Sequence, residues 1–225
     1  MSTEIYPIHL GFDCCYVIKD KGTIMIDGGA PKKTPDFVKG LKNISIDPKE
    51  IKLIIITHGH WDHIGAVKEI QELTGAKIIM HKNEKDWLEK GNPPLPPGVT
   101  LWGKIFSGLM DTLSFLIHVD ATKVDIVLEE EEFSLKDYGI SGKVLYTPGH
   151  SQGSLSILLE SGDVFVGDLA MNKFPLRLSP GLPIFADDLS LVKKSWRKLL
   201  DQGAKTIYPA HGKSFSVKVI EEAIL

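Results

Sequence analysis

The chain has 225 residues, of which 43% are hydrophobic and 24% are charged, a balance typical of globular proteins rather than disordered or fibrous ones. Its 26 basic and 29 acidic residues give a formal net charge of -3, without the basic field that usually accompanies nucleic-acid binding. We therefore expect a folded protein that acts without a nucleic-acid partner.

The first part of the chain is predicted to be a β-meander. Alternating and β-branched runs predict three strands, at Glu4–Leu10, Phe12–Lys19 and Thr23–Ile26. Cys14 and Cys15 are neighbours in the second strand and should point to opposite faces, so we expect buried thiols and no disulfide. The N-terminus lacks a basic stretch followed by an apolar one, which predicts a cytoplasmic protein without a signal peptide.

Helices and strands alternate in the next segment. A helix is predicted from Thr34 as its N-cap, with Pro35 at the first helical position, to about Leu41. The continuous apolar run Ile51–Ile56 predicts a strand that is covered on both faces. A helix, a strand and a second helix are then predicted, at Ile64–Leu73, Ala76–Met80 and Asn83–Lys90.

The middle of the chain contains an unusual insertion. Asn92–Gly98 holds four prolines and predicts an extended connector. Large apolar residues then recur at helical spacing and predict an amphipathic helix over Leu101–His118: Trp102, Ile105, Phe106, Leu109, Leu113, Leu116 and Ile117. Lys104 and Asp111 argue against a membrane span. Ordinary core packing is the first interpretation of the apolar face, and a mobile lid over a pocket or a homodimer contact is the alternative.

The second half repeats this mixture of strands and helices. Strands are predicted at Gly142–Tyr146, Ser154–Leu159, Val164–Val166 and Thr206–Tyr208, and helices at Leu189–Leu200 and Val217–Ile224. Such an order favours two stacked sheets with helices outside them. We interpret residues 1–225 as a single domain with the Pro-rich and helical insertion at about 92–118.

One short motif carries the strongest chemical signal. His58, His60, Asp62 and His63 lie within six residues, directly after the apolar strand that ends near Ile56. So many donors at the end of a buried strand are costly unless they are solvated or bound to metal. In an extended or turning loop, His58 and His60 would face one side, and Asp62 and His63 could reach a second position. This spacing favours two metal ions over one.

This HxHxDH motif resembles the signature of the metallo-β-lactamase superfamily, and the similarity extends along nearly the whole chain. Further family positions match in order: Asp27, His150, Asp168 and His211. The resemblance implies the αββα sandwich fold. It implies that His58, His60 and His150 hold one metal, that Asp62, His63 and His211 hold the other, and that Asp168 bridges them. Asp27 has no metal in this scheme and is expected to hydrogen-bond a ligand or the loop.

The ligand set has histidine and carboxylate donors without thiolate, so zinc, iron or manganese would suit it. Two zinc ions are the expectation for a hydrolase, with a metal-bridging hydroxide as the nucleophile on an ester-like bond of a small-molecule substrate. Asp62 is a candidate catalytic residue as well, because it could take the proton from that water. His9, His81 and His118 are expected to be structural histidines.

The resemblance is closest to the glyoxalase II-like branch, which suggests a thioester or lactone. Glyoxalase II proteins carry a glutathione-binding C-terminal extension, whereas 13 residues follow Gly212, so a glutathione thioester is not expected. The family's homoserine-lactone lactonases carry a tyrosine just after the bridging aspartate, where this chain has Leu169. Classical β-lactamases lack the bridging aspartate, and an antibiotic substrate is therefore not expected.

Two other enzyme classes fit the same residues. Persulfide dioxygenases resemble this pattern but use a single iron held by two histidines and an aspartate. Some relatives cleave RNA or other phosphodiesters with the same site, although the acidic balance of this chain argues against it. A non-catalytic binding module would normally have lost some of the ligands, and all seven are present here.

Overall fold

Two six-stranded sheets form the centre of the protein in a computed structural model that describes residues 3–224 except 114 and 116. The first sheet runs in chain order and consists of β1 (Glu4–Leu10), β2 (Asp13–Lys19), β3 (Thr23–Ile26), β4 (Ile51–Ile55), β5 (Lys77–His81) and β6 (Ile126–Leu128). The pairs β1–β2 and β2–β3 are antiparallel, and the pairs from β3 to β6 are parallel. The carboxyl ends of β3 and β4 therefore meet at one edge.

The second sheet comes from the second half of the chain. It contains β7 (Phe133–Ser134), β8 (Gly142–Tyr146), β9 (Leu155–Leu159), β10 (Asp163–Gly167), β11 (Thr206–Pro209) and β12 (Phe215–Ser216), again in chain order. Only β10 and β11 pair in parallel among the described strands of this sheet. Their carboxyl ends lie side by side, as those of β3 and β4 do in the first sheet.

Helices flank the two sheets. They are α1 (Thr34–Asn43), α2 (Trp61–Ile64), α3 (Val67–Thr74), α4 (Lys85–Glu89), α5 (Leu101–Leu113), α6 (Leu189–Asp201) and α7 (Lys218–Ile224). Buried Phe37 and Val67 pack against the outside of the first sheet, and Trp196 and Ile220 pack against the outside of the second. This arrangement confirms the predicted αββα sandwich.

The layer between the sheets is apolar and is reinforced by hydrogen bonds. Ile24, Leu53 and Phe165 are fully buried members of one cluster there. The cluster also takes Cys14, whereas Cys15 belongs to the cluster under the outer helices, which confirms the predicted opposite orientation of the two free thiols. At the edge where the functional residues lie, the Leu155 N–H donates to the Thr57 carbonyl at 2.7 Å and joins the two sheets directly.

Several predicted boundaries are wrong, and each has a local cause. Lys33, rather than Thr34, is the N-cap of α1, because the Thr34 hydroxyl donates to Glu69 instead of capping the helix. The single helix predicted over Ile64–Leu73 is divided into α2 and α3, and the Ala66 N–H donates to the Gly29 carbonyl at 3.3 Å. The strands β6, β7 and β12 were not predicted, because two or three residues are too few to show a period.

The helix of the insertion is shorter than predicted. It ends at Leu113, Ile117 and His118 lie outside it, and Leu116 falls outside the described residues. The first interpretation, that the apolar face of this helix packs in the core, holds for only part of it. Four of its large side chains are exposed: Leu101, Trp102, Ile105 and Leu109. The homodimer contact through this helix stays a prediction. None of the described helices is long and apolar enough to cross a membrane.

Candidate metal centre

All seven predicted ligand residues lie at one edge of the sandwich, where strands from both sheets end. The first sheet contributes the segment after β4, and the second contributes the segments after β8, β10 and β11: His58, His60, Asp62 and His63, followed by His150, Asp168 and His211. The motif is not wholly a loop as expected, because Asp62 and His63 lie in the single turn of α2, with His60 as its N-cap. This turn divides the motif into two sets of donors.

The first set consists of three buried imidazoles. The Nε2 atom of His150 lies 3.1 Å from Nε2 of His58 and 3.0 Å from Nδ1 of His60. Two ligands of a tetrahedral zinc ion, each bonded at about 2.0–2.1 Å, are about 3.3 Å apart. The three nitrogens therefore converge as a metal site requires.

The second set contains Asp62, His63 and His211, whose donor atoms lie within 4.8 Å of one another. His211 Nε2 is 3.4 Å from an oxygen of Asp62. Asp168 lies between the two sets: one carboxylate oxygen is 3.3 Å from His211 Nε2 and 3.8 Å from His150 Nε2, and the other is 3.5 Å from His63 Nε2. A single carboxylate thus faces donors of both sets.

Hydrogen bonds outside the cluster assign the tautomers of the histidines. The Nδ1 atoms of His63 and His150 face Asp27 and the Phe185 carbonyl, both at 2.9 Å, and these oxygens can only accept. His58 Nδ1 is 3.1 Å from the Thr57 hydroxyl, which itself donates to Asp27. In their neutral form these rings therefore carry their proton on Nδ1 and present a free Nε2 to the cluster, as a metal ligand requires.

Asp27 connects the end of β3 to the motif, as predicted. Its carboxylate accepts the Thr57 N–H at 2.7 Å and the Thr57 hydroxyl at 2.8 Å, in addition to His63. Its backbone has a φ of 58°, in the left-handed region that non-glycine residues seldom adopt. The strained residue thus orients a predicted ligand and the loop that follows β4.

Two buried carboxylates near the cluster were missed by the sequence analysis. Asp13, at the start of β2, has an oxygen 3.3 Å from His211 Nδ1. Glu84 accepts the Gly59 N–H at 2.6 Å and the Gly153 N–H at 2.5 Å, so it ties the loop of His58 and His60 to the loop after His150. An acidic residue at a strand start or before a short helix is an ordinary surface feature in sequence, and no local signal distinguishes these two.

Unpaired polar atoms provide a test of whether the cluster suits metal ions. Among the described residues, five buried side-chain atoms have no hydrogen-bond partner: His63 Nε2, one oxygen of Asp168, both oxygens of Asp13, and His81 Nε2. Buried polar atoms are rarely left in this state, because losing water without a replacement costs free energy. The His63 and Asp168 atoms lie 3.5 Å apart inside the predicted site, where a cation would satisfy both, whereas His81 lies outside the cluster. The donor set therefore fits metal binding.

The protonation of the histidines is set by burial and by the neighbouring carboxylates. Burial lowers the pKa of His58, lowers that of His150, and lowers that of His60 to about 3. Burial also acts to lower the pKa of His63 and of His211. Nearby carboxylates outweigh burial and raise both pKa values well above the usual range, and Asp168 acts on both histidines. The first set is therefore neutral at pH 7, as imidazole ligands must be.

A cavity of about 500 Å³ opens onto the cluster. Its metal-facing end contains His60, Asp62, Asp168 and His211, and its other walls are largely apolar. The volume lies within the range of small-molecule sites, about 300–1,000 Å³. The arrangement can hold a small substrate against the candidate metal centre.

The three remaining histidines lie outside the donor groups found among the described residues. His81 is buried and stacks on Tyr146, with ring centroids 4.5 Å apart. His118 is exposed beside Asp120, and His9 is exposed on β1. The structural roles expected for these three histidines stay a prediction.

Comparisons with known proteins agree with the fold. The model of the metallo-beta-lactamase superfamily matches residues 13–211. The metallo-beta-lactamase fold-containing protein ST1585 of Sulfurisphaera tokodaii is 29% identical over 209 residues, which cover 90% of this chain and 73% of that protein. The hydroxyacylglutathione hydrolase GloC of Haemophilus influenzae is 27% identical over 184 residues, 78% of this chain and 77% of that one. The solved structure of the B3 metallo-beta-lactamase BLEG-1 superposes with a TM-score of 0.71 at 21% identity, covering 98% of this chain and 97% of that one.

Proposed function

Because the chain belongs to the metallo-beta-lactamase superfamily and is a metal-dependent hydrolase, we propose that it cleaves an ester-like bond, of the thioester or lactone class, at a two-metal centre. One observation supports two metal ions instead of one. Asp168 faces His150 of the first donor set and His211 of the second with the same oxygen, at 3.8 and 3.3 Å. A carboxylate in that position is suited to bridge two ions.

The proposed ligands follow the two sets. His58, His60 and His150 would hold one ion, and Asp62, His63 and His211 would hold the other. Imidazole and carboxylate ligands without a thiolate suit zinc, with iron or manganese as alternatives. When bound, the ions would supply Lewis acidity that activates water and polarises the bond to be hydrolysed.

The side chains have separate tasks around that chemistry. Asp27 and the Phe185 carbonyl hold the rings of His63 and His150 so that each Nε2 faces the centre. Asp62 is half-buried and lines the cavity, so its carboxylate can also accept a proton from the attacking water. No serine or cysteine nucleophile is needed in this scheme.

The similarity to GloC supports the thioester class, since that relative is a hydroxyacylglutathione hydrolase. The cavity supports a small-molecule substrate more than a polymer, because its volume of about 500 Å³ suits a compact ligand. We include lactones in the proposal because they present the same electrophilic carbonyl to the same centre.

The metal content of the purified protein tests the proposal directly. Zinc, iron and manganese would be measured per chain for the wild type and for Asp168→Ala and His211→Ala, alongside hydrolysis of thioester and lactone panels. About two zinc ions per chain, reduced in both variants, would support it. A single iron that survives both substitutions would overturn it in favour of a persulfide dioxygenase, and cleavage of a phosphodiester alone would favour the nuclease class.

A further inference from the structure

We propose that the substrate carries an uncharged apolar group, an alkyl chain or ring next to the hydrolysed bond, which the cavity beside the metal centre binds. The inference rests on the proposed function for the reaction, but the binding of the apolar group can be tested without it. The cavity has a volume of about 500 Å³ and reaches the centre at His60 and His211. A ligand bound there would have one end at the centre and the rest against the apolar wall.

Three parts of the chain build the apolar wall. The end of β1 and the turn after it supply Leu10 and Phe12, α5 supplies Phe106 and Met110, and the segment between β10 and α6 supplies Leu176 and Phe185. The rings of Phe106 and Phe185 have centroids 6.0 Å apart. A wall of aromatic and aliphatic side chains binds apolar groups by dispersion and by the release of water.

Backbone contacts hold α5 in place over the cavity. The Val99 N–H donates to the Ile184 carbonyl at 2.9 Å, and the Ala186 N–H donates to the Pro97 carbonyl at 3.1 Å. The Ser107 hydroxyl, inside α5, donates to the Pro96 carbonyl at 3.0 Å. The Pro-rich connector therefore fixes the start of the helix against the segment that carries Phe185.

The charges of the cavity argue against an anionic group in the apolar part. The carboxylates of its lining belong to Asp13, Asp62 and Asp168, all at the histidine end. Elsewhere among the described lining residues Lys33 is the charged side chain, and its Nζ already lies 3.0 Å from Asp36. A glutathione moiety, with two carboxylates and an ammonium group, would find few partners on this wall.

Binding of unreactive neutral amides tests the pocket apart from catalysis. We would titrate the metal-loaded protein with N-butyl, N-hexyl and N-octyl acetamide by calorimetry. Each added methylene should tighten binding about threefold to fourfold until the cavity is full. A dissociation constant that does not change with chain length would overturn the proposal, and so would tighter binding of a matched amide that ends in a carboxylate.

Two neighbouring residues of α5 provide a matched pair of variants. Phe106→Ala removes part of the wall and should weaken octyl amide binding at least tenfold, whereas Ile105→Ala changes a side chain that is 58% exposed and lies outside the lining. Phe106→Trp keeps a large apolar side chain and is therefore a second variant in case Phe106→Ala does not fold. Its larger ring should fill part of the cavity and reduce the length of the longest alkyl amide that binds. Equal effects of Phe106→Ala and Ile105→Ala would contradict the assignment of the pocket.

Two ester series then locate the apolar group on the substrate. One lengthens the acyl chain of methyl esters, and the other lengthens the alcohol of acetate esters. A rise in kcat/KM with length in one series would identify the side that enters the cavity. If the amides bind as expected but neither the ester series nor the thioester and lactone panels are hydrolysed, the pocket is supported and the proposed hydrolase function fails.

Discussion

Asp27 and Glu84 lie behind the donor cluster and bind main-chain N–H groups of the loops that carry it. Asp27 accepts from Thr57, and Glu84 accepts from Gly59 and Gly153, each at 2.5–2.7 Å. Charge-assisted hydrogen bonds of this length are strong and fix geometry. The position of the proposed ligands therefore depends on two carboxylates that are not themselves among the candidate donor groups.

We expect Asp27→Asn to weaken metal binding by the second donor set. An amide nitrogen at the oxygen that faces His63 Nδ1 is a donor, so the imidazole would change tautomer and direct an Nε2 proton into the site. Asparagine also tolerates the left-handed backbone at this position, so the fold should survive. Metal affinity measured by chelator competition should fall about 10–100-fold at one site.

Asp137→Asn changes an exposed aspartate far from Asp27 in the sequence and is the control for that measurement. It should bind metal as the wild type does. If Asp27→Asn kept both metals with unchanged affinity, the assignment of the His63 tautomer would be wrong.

Glu84→Gln should loosen the first donor set. The glutamine oxygen can accept one of the two N–H groups, and its amide faces the other, which is left without a partner. An unsatisfied buried N–H costs about 1–3 kcal/mol, so urea unfolding of the metal-free protein should show a loss of that size. The affinity of His58, His60 and His150 for metal should also fall. Glu131→Gln, the same substitution at an exposed glutamate, should change neither property.

At the scale of elements, α5 depends on close packing against the segment before α6. A Cβ on Gly103 would lie 2.3 Å from the Ile184 carbonyl oxygen, which no real contact allows. A Cβ on Gly108, in the same helix, would meet no atom within 4 Å. The helix therefore has one glycine that its packing requires and one that it does not.

Gly103→Ala and Gly108→Ala should act in opposite directions. The first should push α5 away from the cavity, lower the unfolding free energy, and weaken octyl amide binding. The second should stabilise the helix by about 0.5–1 kcal/mol, because alanine has the higher helix propensity, and leave amide binding unchanged. Urea unfolding and calorimetry on both variants check this. Equal amide affinities in the two variants would show that α5 does not shape the pocket.

At the scale of the whole molecule, the metal centre joins the two halves of the sandwich. The first sheet supplies four of the seven proposed ligands and the second supplies three, including Asp168. A ligand that binds only the folded state stabilises it by RT ln(1 + [L]/Kd), about 2.7 kcal/mol at a hundredfold excess over Kd. Metal binding should therefore stabilise the contact between the sheets.

Removing the metal should lower the unfolding temperature, and adding zinc back should restore it. The thermal shift should be smaller in His211→Ala, which loses a ligand from the second sheet, than in the wild type. A thermal scan with chelator, with zinc and with neither measures it. An unfolding temperature independent of zinc in the wild type would mean that the donors are not a metal site.

The sequence by itself determined the sandwich and all seven residues of the donor cluster. The order of strands and helices favours two stacked sheets with helices outside, whereas the αββα sandwich and the ligand positions His150, Asp168 and His211 are implied by the resemblance to the metallo-β-lactamase superfamily. His58, His60, Asp62 and His63 are visible as a group because they are neighbours in the chain.

The tertiary structure alone decided how the two halves meet and what surrounds the centre. Glu84 contacts glycines 25 and 69 positions away, and Asp13 meets His211 from the opposite end of the chain. From the sequence, the first interpretation of the apolar face of α5 is core packing. In the structure, part of that face lines a cavity and part is exposed. Periodicity records which side of an element is apolar, whereas the partner of that side is set by the packing of distant segments.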